Sequence, residues 1–155
     1  MTYVFAGDRQ ISVNILKWLV EQGYKPAALL VSEGSTASHA DSLIQVSGLA
    51  QEFVFKGKEF TTEKGIEVLS GLKPDYIFGI HFPYIIRKEV LTIPRYGFLN
   101  LHPAYLPFNK GWHTPSWAIL EGTPYGATLH YMSEQLDEGD IIHQKQMDVS
   151  PADTA

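Results

Sequence analysis

Cysteine is absent from the 155 residues. That excludes disulfides, thiolate metal sites and a cysteine nucleophile. Basic residues are scarce, with 12 Lys and Arg against 17 Asp and Glu, a net charge of −5. A domain built to hold a polyanion leans the other way, so no nucleic-acid partner is expected. No apolar run approaches the roughly 20 residues that cross a bilayer, and no membrane partner is expected either. Met1 does not open onto a basic patch followed by a long apolar stretch, the form of a secretory signal. The chain reads as a cytoplasmic, mildly acidic domain. With 45% hydrophobic and 19% charged residues, its composition is globular.

What is present alternates between strand and helix patterns through the first 80 residues. Tyr3-Val4-Phe5-Ala6-Gly7 is a short apolar run ending in glycine, the form of a buried strand. Ile11, Ile15, Leu16, Leu19 and Val20 recur at helical spacing, with Gly23 as a stop. Further strands are expected at 27–31, 53–55 and 76–80. Between them, helices are expected at 38–47 and after a Thr61 or Thr62 cap. This order predicts an α/β fold with an open, mainly parallel sheet and helices on both faces. In the second half, Gly97 to His102 reads as a strand running into a segment rich in Pro and Gly. Gly126 to Met132 and Asp140 to Gln146 read as two more strands. Residues 1–155 are taken as one catalytic domain. The closing Ser150-Pro151-Ala152-Asp153 has the polar cap and early proline of a helix start, so a longer chain is expected.

In open α/β sheets, ligands bind beyond the carboxyl ends of the strands. Three such ends carry chemistry here. Gly7-Asp8-Arg9 lets a ligand approach the backbone near a helix start that favours an anion. It lacks the further glycines of a dinucleotide fingerprint and can equally be a tight turn. Asn100 and His102 are two apart on a strand and therefore share a face. A carboxamide donor beside an imidazole suits acyl or formyl transfer. The plain alternative for such an imidazole is a hydrogen bond to a loop carbonyl. Asp137 lies in the Leu136-Asp137-Glu138-Gly139 turn and, with Asp140 as a rival, can supply a carboxylate to fix an imidazole tautomer.

The segment Asn100-Leu101-His102-Pro103-Ala104-Tyr105-Leu106-Pro107, followed by Asn109-Lys110-Gly111, resembles the signature of the folate-dependent formyltransferases. Trp117-Ala118-Ile119, Gly126-Ala127-Thr128-Leu129-His130 and Leu136-Asp137-Glu138-Gly139-Asp140-Ile141-Ile142 continue the match in order. The resemblance implies a Rossmann-like domain whose catalytic set falls on Asn100, His102 and Asp137, which decides between the two aspartates. It also implies a reaction in which a primary amine attacks the formyl carbon of 10-formyltetrahydrofolate. Asn100 and His102 would stabilise the resulting oxyanion or move the amine proton, and Asp137 would orient His102.

By the same resemblance, Phe82, Pro83, Tyr84, Ile85 and Ile86, after the 76–80 strand, would line the folate pocket. Family acceptors include methionyl-tRNA, a purine-pathway ribonucleotide and nucleotide-linked amino sugars, and one branch hydrolyses the donor. The acidic balance and Lys110 before Gly111, where the tRNA-modifying members carry Arg, weigh against tRNA. The stretch from Lys110 to Pro115 is most similar to the nucleotide-sugar N-formyltransferases, which serve surface polysaccharide synthesis. Arg9 and Lys110 would then meet the diphosphate, and Trp112 would stack on sugar or base. A non-catalytic folate-binding module is the reading from another class. No metal is expected, because His102, His113, His130 and His143 are widely spaced. A homodimer would form through a region beyond residue 155.

Overall fold

A computed structural model describes residues 1–35, 37–111, 113–134, 139–150 and 152–153. The chain divides into two compact units, Met1–Phe98 and Leu99–Ala155.

In the first unit, strand β1 (Tyr3–Gly7) leads through helix α1 (Arg9–Glu21) to β2 (Ala28–Val31). Helix α2 (Ala40–Ser47) then leads to β3 (Val54–Lys56), and α3 (Glu63–Gly71) to β4 (Tyr76–Ile80). A short helix α4 (Lys88–Leu91) follows, which the sequence reading did not anticipate. The strands lie in the order β3-β2-β1-β4, and every pairing is parallel. The path steps one way from β1 to β3, then returns past β1 to β4. Right-handed crossovers therefore put α1 and α2 on one face and α3 on the other. In agreement, α1 and α2 pack together.

All five residues of β1 and all four of β2 are buried, as strands covered on both faces must be. Phe5, Leu16, Leu29, Leu30, Leu43, Phe60, Leu69 and Ile77 are fully enclosed. Thr62 is the cap of α3, its side chain accepting from the Gly65 amide at 3.1 Å. One expectation fails in detail. Ile11 is exposed, while Ser12 and Val13 face inward with Leu16. The hydroxyl of Ser12 has backbone partners on Asp8, just after β1, and on Ile80 at the end of β4, and these draw it inward in place of Ile11.

Strand β5 (Gly97–His102) begins in the last residues of the first unit, and the second unit continues with α5 (Thr114–Glu121), β6 (Tyr125–Tyr131) and β7 (Ile141–Met147). Here the order is β5-β6-β7 and both pairings are antiparallel. Helix α5, which periodicity did not reveal, has Pro115 in its first turn. Strand β6 alternates strictly, but in the reverse of the usual sense. Gly126, Thr128 and His130 are its buried residues, and Tyr125, Ala127, Leu129 and Tyr131 are only half-buried. Polar side chains buried on a strand need hydrogen-bond partners, and these have them. No helix among the described residues is long and apolar enough to cross a membrane.

Candidate functional site

The first unit has its topological switch point between β1 and β4, where the strand order reverses. Gly7 and Ile80 pair at the carboxyl ends. The Ser12 hydroxyl stitches Asp8, the residue after Gly7, to Ile80, donating to the Ile80 carbonyl at 2.6 Å and accepting from the Asp8 amide at 3.1 Å. A Cβ on Gly7 would lie 2.8 Å from both the Phe5 ring and Ser12 Cβ, so only glycine leaves room for this stitch.

Asp8 is 1% exposed. Its Oδ1 accepts from the Ser38 amide at 2.8 Å, tying the segment before α2 to the end of β1. Arg9 has left-handed backbone, φ 68°, and a side chain 45% exposed, with Nε 3.6 Å from Asp8 Oδ2. It keeps a solvent-facing guanidinium at the switch point, as an anion partner requires. Around Ala37 to Ser42 lies an open crevice of about 410 Å³.

Beyond β4 the chain turns at His81 (φ 54°) into a loop without regular structure. Phe82, Pro83 and Tyr84 are half-buried, Ile86 is buried, and Ile85 is 91% exposed. Phe82 and Tyr84 have ring centroids 5.0 Å apart, and Phe60 backs them at 5.5 and 6.0 Å. The Tyr84 hydroxyl accepts from the Glu33 amide at 3.1 Å, which anchors the loop toward the end of β2. A half-open aromatic surface at a strand end offers a flat heterocycle a place to lie.

The second unit gathers Asn100, His102 and His130. Asn100 and His130 are direct partners in the β5–β6 register. Asn100 Nδ2 stands 3.2 Å from His130 Nε2, and His130 Nδ1 is 2.8 Å from the Tyr131 carbonyl. The rings of His102 and His130 meet edge to face, centroids 6.3 Å apart. Asn100 and His102 thus share a face of β5, as their spacing requires. His102 Nε2 donates to the Asn109 carbonyl at 3.2 Å, so the plain alternative, a loop-carbonyl contact, is also real.

The loop beside them is pinned by Thr128. Its hydroxyl donates to the Ala104 carbonyl at 2.7 Å and accepts from the Leu106 amide at 3.1 Å and Gln144 Nε2 at 3.0 Å. Gln144 Nε2 also reaches the Leu106 carbonyl at 2.7 Å. Asn109, Gly111 and His113 each have left-handed backbone, at φ 53°, 88° and 57°. Lys110 is exposed among them.

Asp137 and Trp112 lie outside the described residues. His130 and Thr128 are what sequence reasoning passed over. The available signal was their place two apart in a strand pattern, on the side opposite to its apolar residues. Among the described residues, no three His, Asp or Glu side chains group as a metal site requires.

A family model described as "Formyl transferase" matches residues 19–155. The methionyl-tRNA formyltransferase of Geobacillus sp. (strain WCH70) is 33% identical over 157 residues, covering 97% of this chain and 49% of that protein. Among solved structures, the phosphoribosylglycinamide formyltransferase from Bacillus halodurans superposes with a TM-score of 0.78 at 21% identity. That likeness covers 99% of this chain and 82% of the other. A sugar N-formyltransferase from Shewanella sp. FDAARGOS_354 gives a TM-score of 0.76 at 22% identity, covering 99% and 60%. These likenesses show the fold expected from the strand-helix alternation. The chain spans about half the length of the curated relatives it matches.

Proposed function

Because the chain belongs to the formyl transferase family, we propose that it transfers a formyl group from 10-formyltetrahydrofolate to the primary amine of a nucleotide-linked amino-deoxy sugar. The observation that carries the reaction type is the pairing of an amide N–H donor, Asn100, with an imidazole, His102, on one face at the end of β5. Asn100 donates a hydrogen bond to the formyl oxygen as that oxygen gains negative charge. With Nε2–H on the Asn109 carbonyl, His102 accepts at Nδ1 the proton that the attacking amine must lose and returns it to the departing folate nitrogen. The new bond joins amine nitrogen to formyl carbon, and the bond that breaks joins that carbon to folate. Asp137 orients His102 and helps to deprotonate the amine.

The donor supplies a one-carbon unit already activated at the formyl level. Phe82, Pro83, Tyr84, Ile85 and Ile86 hold it, and the aromatic surface of Phe82 and Tyr84 fits its flat ring system. On the acceptor side, the exposed cations Arg9 and Lys110 meet the diphosphate, and Trp112 supplies a stacking surface. The sugar acceptor rests on the likeness of the stretch from Lys110 to Pro115 to the nucleotide-sugar enzymes, while Lys110 before Gly111 and the acidic balance weigh against tRNA. Methionyl-tRNA as the acceptor is the second reading, favoured by the 33% identity to the Geobacillus enzyme.

The test is mass spectrometry of reactions with 10-formyltetrahydrofolate and a panel of amines. The panel holds nucleotide-linked 3-amino and 4-amino sugars, glycinamide ribonucleotide and methionyl-tRNA. Gain of one formyl group on an amino sugar, lost in His102→Ala, is the expected result. Formylation of the tRNA alone transfers the assignment to the second reading, and release of formate alone identifies a hydrolase.

A further inference from the structure

His130 is 1% exposed and sits on β6 directly opposite Asn100. Its two nitrogens have different neighbours, and in the neutral ring these select the tautomer. Nδ1 lies 2.8 Å from the Tyr131 carbonyl, which can only accept, so Nδ1 carries the proton. In the neutral ring Nε2 is then the acceptor. Asn100 Nδ2, at 3.2 Å, supplies the hydrogen it needs.

An Asn side chain turned the other way would set Oδ1 against the Nε2 lone pair, an arrangement of two acceptors with no proton between them. We infer that His130 is a positioning residue that fixes the orientation of the Asn100 amide, committing one N–H to the imidazole and leaving the other to the reacting oxygen. The inference rests on the formyl-transfer reading for its consequence, though its structural content stands apart from that reading. Asn100 is half-buried, so its remaining N–H and its Oδ1 are the groups left for a substrate. Without His130 the amide has two orientations a half-turn apart, and one of them presents an acceptor to an oxyanion. A donor that is correctly placed only part of the time weakens transition-state binding while leaving ground-state binding in place.

Two measurements test this on the intact protein. The first needs no activity: nitrogen-15 NMR of the imidazole reads the tautomer and the coupling across the Asn100 Nδ2–His130 Nε2 bond. A neutral ring protonated at Nδ1, with that coupling present in wild type and lost in Asn100→Ala, is expected. A ring protonated at Nε2, or at both nitrogens, overturns the inference whether or not any amine is formylated.

The second is kinetic. His130→Phe keeps an aromatic ring but has no acceptor, and kcat should fall about 10- to 100-fold with KM for both substrates little changed. His130→Gln, which restores an acceptor, should recover part of the loss. The double variant Asn100→Ala/His130→Phe should be no slower than Asn100→Ala, because the two residues act on one hydrogen bond. Full kcat in folded His130→Phe, or additive losses in the double variant, would refute it. A wild type that formylates nothing in the panel removes the proposed function and leaves the NMR result to decide the positioning.

Discussion

Asn109 and His102 are joined across the turn that follows β5: the carbonyl of one accepts the Nε2 proton of the other at 3.2 Å. The carbonyl is held there by left-handed backbone, φ 53°, and by Asn109 Nδ2 donating to Thr123 Oγ1 at 2.7 Å. Alanine at 109 gives up the side-chain tie and strains the backbone by about 1–2 kcal/mol. Asn109→Ala should therefore lower kcat about tenfold. Asn109→Gly, which keeps the backbone and loses only the tie, should fall between it and wild type. Steady-state kinetics on the three proteins reads the order. An alanine variant as fast as wild type would mean that the carbonyl holds its place without this residue.

Asn100→Ala, His102→Ala and Asp137→Ala should each slow turnover on the order of 100- to 1,000-fold, the usual loss for a transition-state donor or its partner. Circular dichroism should show each variant folded. Near-normal turnover in His102→Ala would remove the imidazole from the mechanism.

Thr128→Val keeps the side-chain shape and deletes a buried hydroxyl with three partners. The Leu106 amide and the Ala104 carbonyl are then left to find others. Stability should drop by about 1–3 kcal/mol in urea unfolding. Turnover should fall too, since the loop that Thr128 pins carries the carbonyl bonded to His102. A valine variant as stable as wild type would show that Gln144 alone suffices to hold the loop.

Gly7→Ala places a Cβ 2.8 Å from Ser12 Cβ and the Phe5 ring. Both neighbours are enclosed, so neither can step aside freely. The expected cost is about 1–3 kcal/mol, in the range for overpacking a tight core. The companion Ser12→Gly should relieve part of it in a double-variant cycle. Strict additivity of the two changes would argue that the clash is absorbed elsewhere.

Tyr3 is fully buried, its hydroxyl donating to the Tyr24 carbonyl at 2.8 Å, and burial pushes the phenol up to about 12 from its ordinary value of 10.0. Above pH 10 the unfolded chain releases this proton while the folded chain keeps it. The native state then binds more protons than the unfolded state, and stability falls as pH rises between about 10 and 12. Tyr3→Phe lacks the group and should show a shallower decline over that window when urea midpoints are followed against pH. Parallel declines in the two proteins would assign the alkaline loss to other groups.

Much of this fold is legible in the chain because buried parallel strands are near-continuous apolar runs, and Tyr3 to Gly7 or Tyr76 to Ile80 cannot be mistaken for solvated segments. The rotation of α1 was not legible. Ser12 faces inward to reach the Ile80 carbonyl, far from it in sequence, and hydrophobic periodicity carries no trace of such a bond. Helix α5 escaped for a related reason: Trp117, Ile119 and Leu120 are exposed, so its apolar residues do not mark a buried stripe. At the site, the two-residue spacing of Asn100 and His102 correctly put both on one face. The part played by His130 depends on the antiparallel register of β6, which no local pattern states.

The inverted alternation of β6 bears on how this sequence can change. A builder filling the strand by hydrophobicity alone would turn it over, sending Ala127, Leu129 and Tyr131 inward and displacing Thr128 and His130 together. The strand holds its side through directional bonds, so its inward positions tolerate few replacements, however greasy or well sized. Its half-buried positions are the ones left open to drift.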